Sequence, residues 1–336
     1  MRGRLSKYYL LLFLLVVFSQ SNGQQFPLTS QYVVNPYSLN PAFAGFLSTG
    51  EFFLDYRRDW TRIDGSPLTV RASGNARIYA DKMWLGGELM MDKADIFQRF
   101  KGMLSYTYRL QMTENQHLSF GLWGSITQNL LRVDQVNADM DDPLLKDLTR
   151  IFETTYNAGF SLIYTRNRLN LGFAMPTLFR TEDAYVASND NGFAFEQEYI
   201  FHASDIIRLD EEWQLQPFFV WRRTSHHPSS IDLSATIIYL DRVWLSGLYR
   251  NSGLFALGFG TELSGRFVIN YIYEIGLNGI NSQSGGSHEI TVGYRIIGDR
   301  GFSFEKGKKK KIKTNKAPVR KYPSSAPNLD QYKFRK

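Results

Sequence analysis

The sequence predicts an all-β fold: a transmembrane antiparallel β-barrel of about 14 strands (12–16), with an N-terminal periplasmic strap and a disordered basic C-terminal tail. Three observations carry this expectation. After residue 23 no apolar run approaches the length of a spanning helix, yet aromatic residues make up 15% of the 336 residues. Apolar and polar side chains alternate with the strand period of two: Leu104, Tyr106, Tyr108 and Leu110 interleave with Ser105, Thr107, Arg109 and Gln111. Most alternating segments run 9 to 14 residues, enough for a tilted strand to cross a bilayer and longer than the roughly 5–6 residues of soluble strands.

Residues 1–23 read as a cleavable signal peptide. Arg2, Arg4 and Lys7 form a basic start, Leu10 to Phe18 an apolar stretch about half the length a membrane helix needs, and Ser21-Asn22-Gly23 a small-residue exit. The absence of cysteine excludes a lipoprotein, a disulfide framework and a thiolate metal site, and suits a bacterial envelope protein. Residues 24–48 form the strap, whose Asn35-Pro36 and Asn40-Pro41 steps are five residues apart. Each Pro fixes its own φ, lacks a donor and pushes the preceding Asn out of the αR region, which predicts an extended, twice-turned segment, neither helix nor central strand.

Residues 49–299 hold the strands, expected near 50–60, 67–79, 83–93, 100–112, 116–129, 153–166, 168–178, 194–208, 213–223, 230–240, 242–250, 253–263, 265–275 and 286–298. Joins such as 113–116, 166–168, 251–252 and 263–265 are tight, whereas 130–152 and 179–193 are long and polar, as in barrels with short turns on one rim and long loops on the other. Tyr56, Trp60, Tyr79, Trp84, Trp123, Tyr164, Trp213, Trp221, Trp244 and Tyr249 read as interfacial girdles. A secreted sandwich or propeller also alternates, with the apolar face inward. In a membrane barrel the polar face lines the lumen, which would carry Arg57, Arg71, Arg77, Glu88, Asp92, Arg109, Glu262, Arg266, Glu274, Glu289 and Arg295. Both signs are present, which favours a cross-linked, mostly filled interior over a selective pore.

Residues 300–336 form the tail. From Phe302 onward the charge is +10, the leader adds +3, and residues 24–301 carry −6, so the basic character of the chain belongs to the tail. The run Lys308, Lys309, Lys310, Lys311 with Lys313, followed by Pro318, Pro323 and Pro327, predicts a disordered arm. Export argues against nucleic acid. Acidic protein surfaces, phosphate headgroups and anionic cell-wall polymers are the alternatives to a merely solvated end.

No catalytic or metal-binding set emerges, so the expectation is a non-enzyme without cofactor. His226-His227-Pro228 lies in a loop, and the five histidines match no metal-ligand pattern. His117 and Ser119 share a strand face at the spacing a hydrolase base and nucleophile would need, but have no evident orienting partner.

Gln24-Gln25-Phe26, Ser30-Gln31-Tyr32, Asn35-Pro36 and Asn40-Pro41-Ala-Phe-Ala-Gly45 together resemble the mature start of the PorP/SprF family, barrel components associated with the type IX secretion system of the Bacteroidota. Tyr56-Arg57-x-x-Trp60, Asp92-Lys93, Tyr273-Glu274-Ile275 and Ser287-His288-Glu289 agree with it, over about residues 24–297. Val33-Val34 departs from the pattern, and the tail lies outside it. The resemblance implies an outer-membrane barrel, not an enzyme, that helps export or anchor cargo bearing a type IX C-terminal signal, gliding adhesins in some members. It also implies contact with periplasmic ring or peptidoglycan-associated components. On this view both termini are periplasmic, and Tyr32, Asn35, Pro36, Tyr37, Asn40, Pro41, Phe43 and Gly45 form a docking or plug element. That strap would fold under or into the barrel, with Tyr32, Tyr37 and Phe43 against inward residues. A passive channel or hydrophobic-ligand transporter would also need a barrel and a plug.

Overall fold

Strands with one apolar and one polar face can shelter the polar face by curling the sheet around it, and in lipid a sheet edge must be paired, so the ladder has to close. The computed structural model describes residues 27–132, 151–180, 195–224, 228–277 and 282–296, and in it the ladder is closed. The strands are β1 (Gly50–Arg58), β2 (Leu68–Tyr79), β3 (Met83–Ala94), β4 (Phe97–Thr113), β5 (Gln116–Leu131), β6 (Ile151–Arg166), β7 (Leu169–Thr177), β8 (Glu198–Ser204), β9 (Ile207–Arg208), β10 (Trp213–Thr224), β11 (Ser230–Tyr239), β12 (Val243–Arg250), β13 (Leu254–Leu263), β14 (Phe267–Gly276) and β15 (Ser287–Ile296). Each pairs antiparallel with its neighbours, and β1 pairs with β15 from Gly50↔Ile296 to Arg58↔His288. Since β8 and β9 both pair with β10 and form one stave, the result is a closed barrel of fourteen staves.

The single strand expected over 194–208 is interrupted at 205–206. Pro217 sits opposite this break in β10 and has no N–H to give the ladder, while its carbonyl still accepts from Asp205 N at 3.3 Å. The joins at 80–82, 114–115, 167–168, 209–212, 240–242 and 264–266 share the rim at which β1 begins and β15 ends. The strands joined by the longer connections 59–67, 132–150, 178–197 and 277–286 end and begin at the opposite rim. The tight 251–253 turn belongs to this long-loop rim as well, so the two rims are less cleanly sorted than expected.

Side-chain direction is reversed relative to a soluble sandwich. In β1, Phe52, Leu54 and Tyr56 are exposed at 55%, 47% and 42%, whereas Glu51, Asp55 and Arg57 are buried inside. The expected luminal charges Arg57, Arg71, Arg77, Glu88, Asp92, Arg109, Glu262, Glu274, Glu289 and Arg295 are all buried. Arg266 is the exception: it is exposed in the turn between β13 and β14. Three supposed girdle residues also change place, because Trp84, Trp123 and Trp244 point inward. They share the strand phase of Glu88 and Asp92, of Ser119 and Thr127, and of Ser246 and Arg250, so parity decides their direction against interfacial preference.

Candidate functional site: the strap inside the barrel

The strap is not extended. It is a chain of three single-turn 3₁₀ helices, Gln31–Val33, Pro36–Ser38 and Pro41–Phe43. Asn35 (φ −119, ψ 76) and Asn40 (φ −149, ψ 108) do avoid αR, as a following Pro requires, but the fixed proline φ suits the first position of a helical turn. Each Asn-Pro step therefore starts a turn. Asn40 also caps its own turn, its Oδ1 accepting from Ala42 N at 2.9 Å.

The strap runs inside the barrel from near the long-loop rim to the short-turn rim. At its upper end Glu289 accepts from the backbone N–H groups of Ser30 (3.1 Å) and Gln31 (3.0 Å), and Glu274 accepts from Ser30 Oγ at 2.6 Å. Arg57 ties the two carboxylates, donating to Glu274 at 2.5 and 2.7 Å and to Glu289 at 2.9 Å, and also pairs with Asp59. With its amide turned to satisfy both neighbours, Gln31 bridges Asp55 and Arg71.

A second charged cluster holds Tyr32. Its hydroxyl donates to Asp232 Oδ2 at 3.0 Å, and Asp232 in turn pairs with Arg222 at 2.9 Å and Arg250 at 2.7 Å. The Tyr37 hydroxyl oxygen lies 2.7 Å from Ser105 Oγ.

Lower down, Asn35 donates to Ser73 Oγ (2.9 Å), and Asn40 Nδ2 meets His202 Nε2 (2.9 Å). The Phe43 ring stacks on His202 at 5.0 Å. Thr107 donates to the Pro41 carbonyl at 2.9 Å, Arg109 to that of Ala44 at 3.0 Å, and Gly45 N donates to Asn75 at 3.1 Å. Staves on every side of the lumen thus hold the strap. Many of its polar groups are matched by wall side chains or by its own turns, and the buried Arg57, Arg222, Arg250 and Arg295 each pair with a buried carboxylate. Beside it remains a cavity of about 120 Å³, lined among others by Leu28, Lys101, Met103, Trp123, Phe195 and Glu198.

Of the residues singled out from sequence, Tyr32, Asn35, Pro36, Tyr37, Asn40, Pro41, Phe43 and Gly45 are all buried in the strap, and Arg57, Glu274 and Glu289 meet at its upper end. Asp92 is inside but elsewhere, accepting from Thr69 at 2.7 Å. Tyr56 and Trp60 are exposed and away from the strap, and Tyr273 and His288 pair their rings at 5.0 Å on the outer face. Lys308, Lys309, Lys310, Lys311 and Lys313, the leader, the His226-His227 pair and the chain ends lie outside the described residues. His117 and Ser119 are buried inside, and Ser119 Oγ accepts from Arg109 Nε at 3.2 Å. Among the described residues no three His, Asp or Glu side chains converge as metal ligands. Ser30 and Gln31 entered only as part of the family-like string, and Asp232, Arg222, Arg250 and His202 were not expected at the site; the signal that finds these four is their inward strand phase.

Residues 21–294 match the family model described as type IX secretion system membrane protein PorP/SprF. No curated protein matches. Among solved structures, a FadL homologue from Pseudomonas aeruginosa is 10% identical over 82% of this chain and 96% of that chain, with a TM-score of 0.47. The CymD monoaromatic hydrocarbon channel is 10% identical over 82% and 95%, with a TM-score of 0.48. The KdgM porin is 7% identical over 73% and 99%, with a TM-score of 0.36.

Proposed function

The chain belongs to the PorP/SprF family of type IX secretion system membrane proteins, and from that premise we propose that it serves as a closed, strap-plugged barrel that supports export or surface anchoring of cargo. The observation that carries this reading is the seating of the strap: its three aromatic anchors Tyr32, Tyr37 and Phe43 are each at most 2% exposed and bonded or stacked to the wall. A barrel so filled is suited to presenting surfaces at its rims. In this reading the short-turn rim faces the periplasm, where the +10 tail that follows β15 contacts ring or peptidoglycan-associated proteins, and the long loops face outward to cargo, gliding adhesins included. Replacing Asn40 and Pro41 together with Ala removes a cap and a fixed turn, and should leave the barrel inserted while abolishing cargo display on intact cells. Unchanged display would overturn the role.

A second reading, a passive channel or hydrophobic-ligand transporter, draws on the cavity beside the strap, whose wall includes Leu28, Met103, Trp123, Phe195 and Ile200. Its discriminating measurement is conductance: a steady open current from the intact protein would favour it.

A further inference from the structure

The outer face of the barrel is apolar through its middle, and on five neighbouring staves that band ends at a row of a different kind. In register across β15, β1, β2, β3 and β4 stand His288, Arg58, Leu68, Lys93 and Gln98, all outward by strand phase. One pleat nearer the middle the same staves present Ile290, Tyr56, Val70, Met91 and Phe100, of which Ile290, Tyr56, Met91 and Phe100 are 43%, 42%, 47% and 44% exposed. The boundary between lipid chains and headgroups therefore falls between these two rows.

Arg58 and Lys93 are exposed, and among the described residues neither side chain has a hydrogen bond or ion pair. This contrasts with the neighbouring inward Arg57, whose donors are taken up by three carboxylates. The nearest acidic residues do not neutralise the row: Asp59 is held by Arg57, and Asp64 and Asp95 lie in the loops beyond it. His288 is fixed at the end of the row by Tyr271, whose hydroxyl lies 2.7 Å from Nδ1, and by the Tyr273 ring. Staves lie about 4.8 Å apart, so the backbones at Arg58 and Lys93 are about 10 Å apart, and their long side chains can meet on one anion above Leu68.

We infer that this row is a binding site for the phosphate of a membrane lipid headgroup in the leaflet beside the long-loop rim. Two paired cations recognise the phosphate, and the apolar row directly beneath receives the acyl chains. A soluble anion would use only the first of these features, and an acidic peptide would leave the second in contact with other lipid. The continuity of cations with an exposed apolar strip on the same staves is what selects a lipid.

Native mass spectrometry of the purified full-length barrel, incubated with a bisphosphorylated lipid A or with its enzymatically dephosphorylated form, tests the site. The wild type should retain the phosphorylated lipid at least about tenfold better, and the Arg58→Gln/Lys93→Gln variant should lose that preference. Heat-modifiable gel mobility checks that the variant is folded; should it fail to fold, Lys93→Gln alone, which removes no described contact, should still lower retention by about threefold. Equal retention of the two lipids by the wild type, an unchanged preference in the folded variants, or equally effective competition by inorganic phosphate or an acidic peptide would each overturn the inference.

Discussion

Two demands meet at Gly45. Its φ of +71 lies in the left-handed region, and a Cβ there would sit 2.1 Å from Trp84 Nε1. The indole cannot yield easily, since the Arg109 guanidinium covers its ring at 4.4 Å and Arg109 also holds the Ala44 carbonyl. The same economy of space recurs on the wall, where Gly159 leaves room for Trp123: a Cβ there would lie 2.3 Å from its Cε2. Gly45→Ala should therefore lower stability by about 1–3 kcal/mol, measured as the urea midpoint in lipid vesicles by tryptophan fluorescence. Gly247→Ala, where a Cβ meets nothing within 4 Å, is the control and should be near neutral. Equal midpoints for the two variants would mean that the Gly45–Trp84 contact does not hold the strap. Parity along the strands made the luminal charges legible from sequence, and applied to Trp84, Trp123 and Trp244 it would have placed them inside too. What obscured them was residue type, since tryptophan suggests an interface unless a facing glycine is noticed.

Element by element, strands were the most legible feature, because one face in lipid and one in the lumen impose a strict period of two over 7 or more residues in nearly every stave. The strap was less so. Asn-Pro chemistry correctly announced its turns, yet whether they coil or extend depends on wall partners such as Ser73, Thr107 and His202, distant in sequence. The split between β8 and β9 is another non-local effect, written in Pro217 on the facing strand. Hydrogen exchange should show it: the amide of Ile206, which donates to the Asp205 side chain and not to the facing strand, should exchange at least roughly tenfold faster than those of Phe201 and His202. Pro217→Val restores a donor and should slow exchange at Ile206 toward its neighbours. Uniform protection along this stave in the wild type would show that the missing N–H does not loosen the wall.

For the molecule as a whole, the question is whether a closed wall encloses a path. The interior holds carboxylates and guanidinium groups in pairs, and the pairs at the upper end exchange hydrogen bonds with the strap: Arg57, Glu274 and Glu289 with Ser30 and Gln31, and Asp232 with Tyr32. Removing the strap would leave these charges to water and ions, which is what a conducting lumen needs; with the strap in place, the groups that would solvate a permeating ion are already bonded. The closed sheet does not depend on the strap, because every stave is paired on both sides through backbone ladders. Purified full-length protein in planar bilayers should therefore be silent. A deletion of residues 27–45 should insert, run as a folded heat-modifiable band, and carry a steady current that falls as salt is diluted. A comparable open current from the intact chain would instead favour the passive channel, since the strap would then leave a continuous aqueous path, and the closed platform would lose its physical basis.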